Sequence, residues 1–289
     1  MQLRGLVLVA SMGGWMAACS SPEPAAPAAA TTPAPAPAPA SQPEAQSLMG
    51  RPLLPIELPA TDRAKLEANL KAAEDELAKA PGSPDALIWV GRRQAYLWQY
   101  RNAIATFTKG IDRFPTDARF YRHRGHRSIT VRNFDGAIAD FEKATALIKG
   151  KPDEVEPDGA PNAAGKPRST LQFNIWYHLG LAYYLKGDYP NARRAYDACL
   201  KVSNNDDSIA AITDWQWMTY MRMGDKAAAA KVLERITSKM DILENGSYHK
   251  RLLMRGQLLL RHRRPGQGEG DLRPLVSSSD STFSRPLYI

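Results

Sequence analysis

A repeated pattern with a period of 34 residues constrains the fold of this chain more than any other feature of its sequence. A glycine, an alanine twelve residues later and an aromatic residue four residues after that occur three times. The second set follows the first by 34 residues, and the third follows the second by 55, which is one period plus an insertion of 21. Periods of this length are typical of stacked helical hairpins, because one hairpin cannot bury its apolar face alone. The pattern therefore predicts an all-α solenoid.

The clearest copy of the repeat is WYHLGLAYYLKGDYPNARRAYDACLKV, from Trp176 to Val202. Its first half has the pattern W-x-x-L-G-x-x-Y, and a Gly-Asp-Tyr turn follows at 187–189. These residues resemble the tetratricopeptide repeat, a pair of antiparallel helices. The resemblance implies an all-α fold, an α-solenoid of helix-turn-helix repeats, with four copies. They are predicted at 84–117, 118–151, 173–206 and, in degenerate form, 210–243.

The recurring small and aromatic residues are predicted to hold neighbouring helices together. Glycine and alanine allow two helices to approach closely, and a large ring fills the adjoining gap. The predicted packing residues are Gly91, Ala103, Phe107, Gly125, Ala137, Phe141, Gly180, Ala192 and Tyr196. Cys199 occupies a position that holds a glycine or an alanine in the earlier copies, so we interpret it as a small buried side chain rather than a redox group.

The stretch 61–83, before the first copy, is predicted to be a capping helix that acts as half a repeat. Thr61 or Asp62 is the expected N-cap, and a Pro-Gly pair is expected to end the helix. Its apolar residues recur at helical spacing, at Leu66, Leu70, Ala73 and Leu77. This face is predicted to shield the open side of the first copy.

Three segments outside the repeats are interpreted from their composition. Residues 152–172 are polar and rich in proline and glycine, which predicts a long surface loop. Residues 244–260 are predicted to form a terminal helix. Residues 261–289 are basic and have no helical period, which predicts a disordered tail. A shifted reading frame would give the tail the same composition, and the sequence leaves both explanations open.

The first residues of the chain are typical of an exported protein. Arg4 precedes a short apolar run, and residues 1–18 are predicted to be a signal peptide of the lipoprotein type. The sequence Met-Ala-Ala-Cys at 16–19 resembles the bacterial lipobox, which implies that Cys19 carries a lipid such as palmitate. The segment 19–60 is rich in proline and alanine after this cysteine and is predicted to be a disordered linker.

The expected location follows from the same resemblance and from the charge of the chain. In Gram-negative lipoproteins, serine rather than aspartate after the lipidated cysteine implies the outer membrane. The periplasmic side is expected, with exposure at the cell surface as the alternative. The chain has 38 Lys and Arg against 30 Asp and Glu, a net charge of +8, which favours anionic partners. Nucleic acid is not expected as a partner of an exported protein.

The resemblance assigns the first helix of each copy to a concave groove. Transferred position by position, it gives a basic and aromatic set of side chains. The predicted groove residues are Trp89, Arg92, Tyr96, Arg119, Arg122, His123, His126, Asn174, Tyr177, His178, Tyr184 and Trp215. Arginine binds carboxylates through paired hydrogen bonds, and aromatic rings contact apolar side chains and extended backbone. The expected partner is a protein or peptide with an acidic segment or a bound C-terminal carboxylate.

The sequence leaves two other functions open. His123, His126 and His178 would share one groove and could make the chain a metal-binding or enzymatic protein, although the neighbouring arginines would repel a cation. An envelope-assembly or secretion accessory could instead contact lipid head groups through the basic tail. The sequence contains no P-loop, no G-x-S-x-G and no H-E-x-x-H, so neither catalysis nor a cofactor is expected.

Overall fold

The computed structural model describes residues 43–47, 49–159, 161–162 and 164–262. Within these residues the chain forms ten α-helices and one short antiparallel pair of strands. The prediction of an all-α solenoid is confirmed. The predicted signal peptide, Cys19, the linker as far as residue 42 and the tail beyond residue 262 lie outside the described residues.

The helices follow one another along the chain as hairpins, and most of the connections between them are short. They are α1 (Ala60–Lys79), α2 (Pro84–Tyr96), α3 (Tyr100–Arg113), α4 (Ala118–Thr130), α5 (Phe134–Ile148), α6 (Leu171–Lys186), α7 (Tyr189–Val202), α8 (Asp206–Arg222), α9 (Lys226–Val232) and α10 (Gly246–His262). A 3₁₀ turn at Leu233–Arg235 extends α9. Each of the first nine helices packs mainly on its neighbours in sequence, as in a solenoid. In the described ranges, no helix is long and apolar enough to cross a bilayer.

Side-chain caps fix where most of the helices begin. Ser83, Asp117, Thr170 and Asp188 each accept a hydrogen bond from a backbone amide in the first turn of the helix that follows. Such a cap stabilises a helix by about 1 kcal/mol. Gly187 ends α6 with a φ of 86°, a left-handed conformation that glycine adopts without strain. The ends of the hairpins are therefore set by residues at their own turns.

Three glycines of the repeat lie directly against the aromatic rings of their own hairpins. A Cβ atom built on Gly91 would lie 2.5 Å from the ring of Phe107, and one built on Gly180 would lie 2.3 Å from the ring of Tyr196. The second copy has the same contact at 2.9 Å. The three rings and the three alanines of the pattern are almost completely buried. A larger side chain at any of these glycines would displace a packed ring.

The core is continuous across the insertion that separates the second and third copies. Ala137 and Phe141 of α5 pack with Ile175 and Leu179 of α6 in one buried cluster. All four side chains are at most 4% exposed. The long connection between α5 and α6 therefore leaves the stacking of the hairpins intact.

The capping helix starts differently from its prediction. Helix α1 begins one residue earlier, after Pro59, and no side chain caps it. The expectation that Thr61 or Asp62 caps this helix was wrong, because both residues lie inside its first turn. Ala73 is buried at the centre of the predicted apolar face.

The fourth hairpin also starts earlier than predicted. Helix α8 begins at residue 206 rather than 210, because Asn205 and Ser208 form a reciprocal capping box there. Its second helix is short, with seven residues before the 3₁₀ turn. Helix α10 continues to residue 262, which is past the predicted end of the terminal helix at 260.

The end of the predicted linker packs against the repeats. Strand β1 (Ala45–Gln46) pairs with β2 (Pro52–Leu53), and a carboxylate oxygen of Glu44 accepts a hydrogen bond from the backbone amide of Arg101 at 2.9 Å. This amide lies in the first turn of α3, where helices favour a negative charge. Residues 43–47 and 49–59 are thus part of the folded domain.

Candidate partner-binding groove

Side chains from α4 and α6 meet around the guanidinium of Arg122 at the centre of the predicted groove. Helix α4 carries Arg122, His123 and His126, and α6 carries Asn174 and His178. Arg122, His123, Asn174 and His178 are each at most 8% exposed, and His126 is partly buried. The structure therefore brings together five of the predicted groove residues, and it buries most of them.

A carboxylate from the insertion completes this centre. Arg122 Nη2 donates a hydrogen bond to Glu156 Oε2 at 2.7 Å, and Asn174 Nδ2 donates to the same oxygen. The side chains of Arg122 and Glu156 are only 10% and 12% exposed. Loss of either partner from such a pair would leave an uncompensated charge in the interior. The pair therefore fixes the insertion over α4 and α6.

The three histidines of the centre are neutral. Burial lowers the pKa of His178 to about 3, and burial lowers the pKa values of His123 and His126 well below the ordinary range, with help from neighbouring arginines. Arg122 Nη1 lies 3.1 Å from Nδ1 of His123 and 3.4 Å from Nδ1 of His126. A guanidinium can only donate, so both of these ring nitrogens are unprotonated.

The histidines are arranged for packing rather than for metal ligation. The ring centroids of His126 and His178 are 4.2 Å apart, whereas His123 stacks on Phe107 at 5.3 Å. In the part of the chain that the structure describes, no group of three or more His, Cys, Asp or Glu side chains is placed to hold a metal ion. Arg122, which lies between the rings, would also repel a cation.

At one end of the groove, α2 presents a basic and aromatic cluster. The guanidinium groups of Arg92 and Arg93 lie 4.2 and 4.8 Å from the ring centroid of Trp89, in cation–π geometry. Arg93 Nη1 donates to the carbonyl oxygen of Gly159 at 3.3 Å. A Cβ atom on Gly159 would lie only 1.8 Å from the hydroxyl of Tyr96. Glycine at this position therefore lets the insertion lie against the first copy.

At the other end, aromatic side chains from three helices form the wall of the groove. Trp215 Nε1 donates to the hydroxyl of Tyr177 at 2.6 Å, and the ring of Tyr184 meets Trp215 edge to face at 5.3 Å. The hydroxyl of Tyr248, from α10, lies 3.4 Å from that of Tyr177. Burial raises the pKa of Tyr177. The terminal helix therefore covers this end of the groove.

Arg119 lies at the edge of the groove and pairs with carboxylates there. Its guanidinium contacts Asp85 at 2.5 Å and Asp117 at 2.6 Å. The hydrogen bond with Asp117 raises the pKa of Arg119. The same three residues form part of an open cleft of about 680 Å³ beside the turn that precedes α4. The charge of Arg119 is thus already paired with two carboxylates at the edge of the groove.

The insertion lies over the groove, which differs from the simple surface loop of the prediction. Val155 and Thr170 form an antiparallel bridge near its two ends. Farther along, Asn162 donates to Glu244 at 2.6 Å, and Arg168 contacts Asp241 at 2.7 Å. Most side chains of the insertion are exposed, but that of Glu156 turns inward because the basic centre attracts a carboxylate.

Sequence reasoning missed Glu156, Arg127 and Tyr248. Arg127 is 8% exposed, with its guanidinium 5.6 Å from the ring of Tyr100, and burial lowers its pKa to about 10. It follows His126 directly, outside the positions that the repeat assigns to the groove. Glu156 is one of several acids in a polar insertion, and no spacing in the sequence distinguishes it.

One family of known proteins matches part of this sequence. The tetratricopeptide repeat family matches residues 173–206, which is the third predicted copy. The tetratricopeptide character predicted for that copy is thereby confirmed. No protein with a curated description matches the sequence.

Solved structures are also similar to this chain. One is a crystal structure of MamA, at 18% identity over 71% of this chain and 99% of that chain, with a TM-score of 0.45. Another is TTC0263, a thermophilic TPR protein in Thermus thermophilus, at 17% identity over 70% and 93%, with a TM-score of 0.46. A third is MamA from Desulfovibrio magneticus RS-1, at 17% identity over 61% and 85%, with a TM-score of 0.46.

Proposed function

We propose that this protein is a non-enzymatic scaffold that binds a protein or peptide partner through the groove formed by α2, α4, α6 and α8. The observation that carries the proposal is the carboxylate at its centre, where Arg122 and Asn174 both bind Glu156. A groove that binds a carboxylate of its own chain has the chemistry to bind one from another protein. The tetratricopeptide match at 173–206 supports protein binding as the kind of function.

The aromatic ends of the groove suit the same role. Trp89 and Tyr96 at one end and Tyr177 and Trp215 at the other are partly exposed. Large aromatic side chains with a polar atom are typical anchors of protein interfaces, because they bury much apolar area with little loss of side-chain entropy. The proposed partner therefore contacts a basic centre between two aromatic ends.

A lipid on Cys19 would hold this scaffold at the outer membrane, on the periplasmic side. This part of the proposal rests on the lipobox resemblance and on the basic, exported character of the chain. Cys19→Ala should move the protein from the membrane fraction to the soluble fraction of cells, and Cys199→Ala should leave it in the membrane. Membrane retention of the Cys19→Ala variant would refute the anchor.

Photo-crosslinking in cells tests the groove. A photoreactive amino acid is placed at Trp89, in the groove, and at Lys109, which is exposed on the second helix of the same hairpin. We expect a discrete crosslinked product at position 89 that is missing at position 109. Equal products at both positions, or none at position 89, would overturn the proposed use of the groove.

A further inference from the structure

The segment 153–159 contacts the groove with few of its side chains. Five of its seven residues are exposed, including Val155, whose aliphatic side chain is 56% exposed. Only Glu156 and Gly159 are partly buried. Burial of apolar surface is the main force that holds protein segments in place, and this segment has little of it. The segment is therefore held mainly by polar contacts.

These polar contacts use groups that any peptide can supply. The amide of Glu156 donates to the carbonyl of Ser169 at 3.0 Å, and the amide of Leu171 donates to the carbonyl of Glu154 at 2.8 Å. Arg93 binds a backbone carbonyl of the segment, and the ion pair with Arg122 needs one carboxylate. A second peptide could supply both the backbone carbonyl for Arg93 and the carboxylate for Arg122, without any change in the scaffold.

The centre of the groove carries more positive charge than Glu156 balances. Arg92 and Arg127 both lie near enough to Arg122 to repel its charge. The neighbouring histidines are neutral and do not change this balance. Of these three neighbouring guanidinium groups, Arg122 is the one that the Glu156 carboxylate pairs with, so the centre continues to attract negative charge.

Glu156 also leaves part of the Arg122 guanidinium without a hydrogen bond. It accepts from Nη2, and Nη1 contacts the rings of His123 and His126. Within the described residues, the buried Nε of Arg122 has no hydrogen-bond partner. A carboxylate that approaches side-on accepts from Nε and Nη2 together, which is the stronger, bidentate arrangement. The carboxylate of the insertion therefore leaves one hydrogen-bond donor of Arg122, its Nε, unused.

We infer that the segment 153–159 is a ligand built into the chain, and that the partner is an extended acidic peptide whose internal carboxylate replaces that of Glu156 on Arg122 and Asn174. The inference rests on the proposed function of the groove and specifies its partner. Recognition is by a side-chain carboxylate rather than a chain terminus, as for Glu156 itself. Because the partner must displace the segment, its apparent affinity is reduced by the fraction of molecules in which the groove is open.

A peptide of residues 151–158 (KPDEVEPD), labelled with a fluorophore and added in trans, is the probe. Its binding is measured by fluorescence anisotropy to the unmodified domain and to its Glu156→Gln and Glu154→Gln variants. We expect Glu156→Gln to bind about tenfold more tightly than the unmodified domain, if the segment is closed in nine of ten molecules. Glu154→Gln is the matched control, since that side chain is exposed, and it should bind like the unmodified domain.

Two further measurements locate the bound carboxylate. The double variant Arg122→Gln/Glu156→Gln should lose the gained affinity, and so should the probe that itself carries the Glu156→Gln change. Equal binding by Glu156→Gln and Glu154→Gln, or equal binding of the two probes, would overturn the inference. Circular dichroism checks that each variant remains helical.

Hydrogen exchange on the unmodified domain keeps the inference falsifiable if a variant does not fold. An excess of the probe should speed exchange of the amides of Glu156 and Leu171, because displacement breaks their hydrogen bonds. Unchanged exchange at a saturating probe concentration would refute displacement. A negative result here, with crosslinking still observed at Trp89, would reject the built-in ligand and leave the scaffold function standing.

Discussion

Acidification from pH 7.5 to 5.5 should destabilise this protein through His123, His126 and His178. Burial lowers the pKa values of all three in the folded protein, that of His178 to about 3. In the unfolded chain a histidine has a pKa of about 6.5. The unfolded state thus takes up protons that the folded state does not, so stability is fully present above this value and falls as the pH drops through it.

The expected loss follows from the number of histidines. One histidine that is protonated only in the unfolded state lowers the free energy of unfolding by about 1.4 kcal/mol between pH 7.5 and 5.5. The three histidines titrate independently in the unfolded chain, so the total loss is about 4 kcal/mol. This is a large part of the 5–15 kcal/mol that is typical of a folded domain.

Urea unfolding at fixed ionic strength, followed by circular dichroism and tryptophan fluorescence, measures this loss. His178→Gln should reduce it to about 3 kcal/mol, because one titrating ring is removed. His249→Gln is the control, since that ring lies outside the cluster and contacts the carbonyl of Thr237. A loss below about 1 kcal/mol in the unmodified chain, or equal effects of the two substitutions, would contradict the assignment of three neutral rings.

Two further predictions concern the scaffold, and both are measured by the same urea titration. Gly180→Ala should destabilise the fold by about 1–3 kcal/mol, because the new Cβ atom would overlap a packed ring. Gly82→Ala is its control: no atom lies within 4 Å of that new Cβ, so stability should change by less than about 0.5 kcal/mol. Asp214→Asn should lower the free energy of unfolding by about 2 kcal/mol, because this fully buried carboxylate binds two arginines of α10. Asp135→Asn is its control and should lower it by at most about 1 kcal/mol, because the ion pair of Asp135 is exposed. If a variant and its control changed the free energy of unfolding equally, burial would not be what determines the size of the effect.

The hairpins could be predicted from the sequence because their packing is local. Gly180 and Tyr196 meet within one hairpin, so their spacing along the chain fixes their contact. Helix ends set by a single cap, as at Asp188, are likewise encoded within a few residues. The start of α8 was missed because the fourth copy is degenerate, and the capping box of Asn205 and Ser208 that begins the helix lies before the predicted frame of 210–243.

The content of the groove could not be predicted in the same way. Repeat positions placed Arg122 and Asn174 near each other correctly, since both lie on first helices of adjacent copies. They could not show that Glu156 lies between them, because a long insertion has no periodicity that fixes its path. The interaction depends on the summed charge of several helices, which only the folded structure brings together.

The position of the insertion explains how the groove can be filled without weakening the scaffold. The core between α5 and α6 is continuous, and Phe141 packs in one cluster with Leu179 although the insertion separates them in sequence. A longer connection adds little to the entropy of loop closure, so the solenoid tolerates it. Its central contact is a polar one, between Glu156 and Arg122, whereas the hairpins are held together by apolar packing. A carboxylate that competes for Arg122 would therefore act on the insertion alone, and the helices could remain in place as the groove opens.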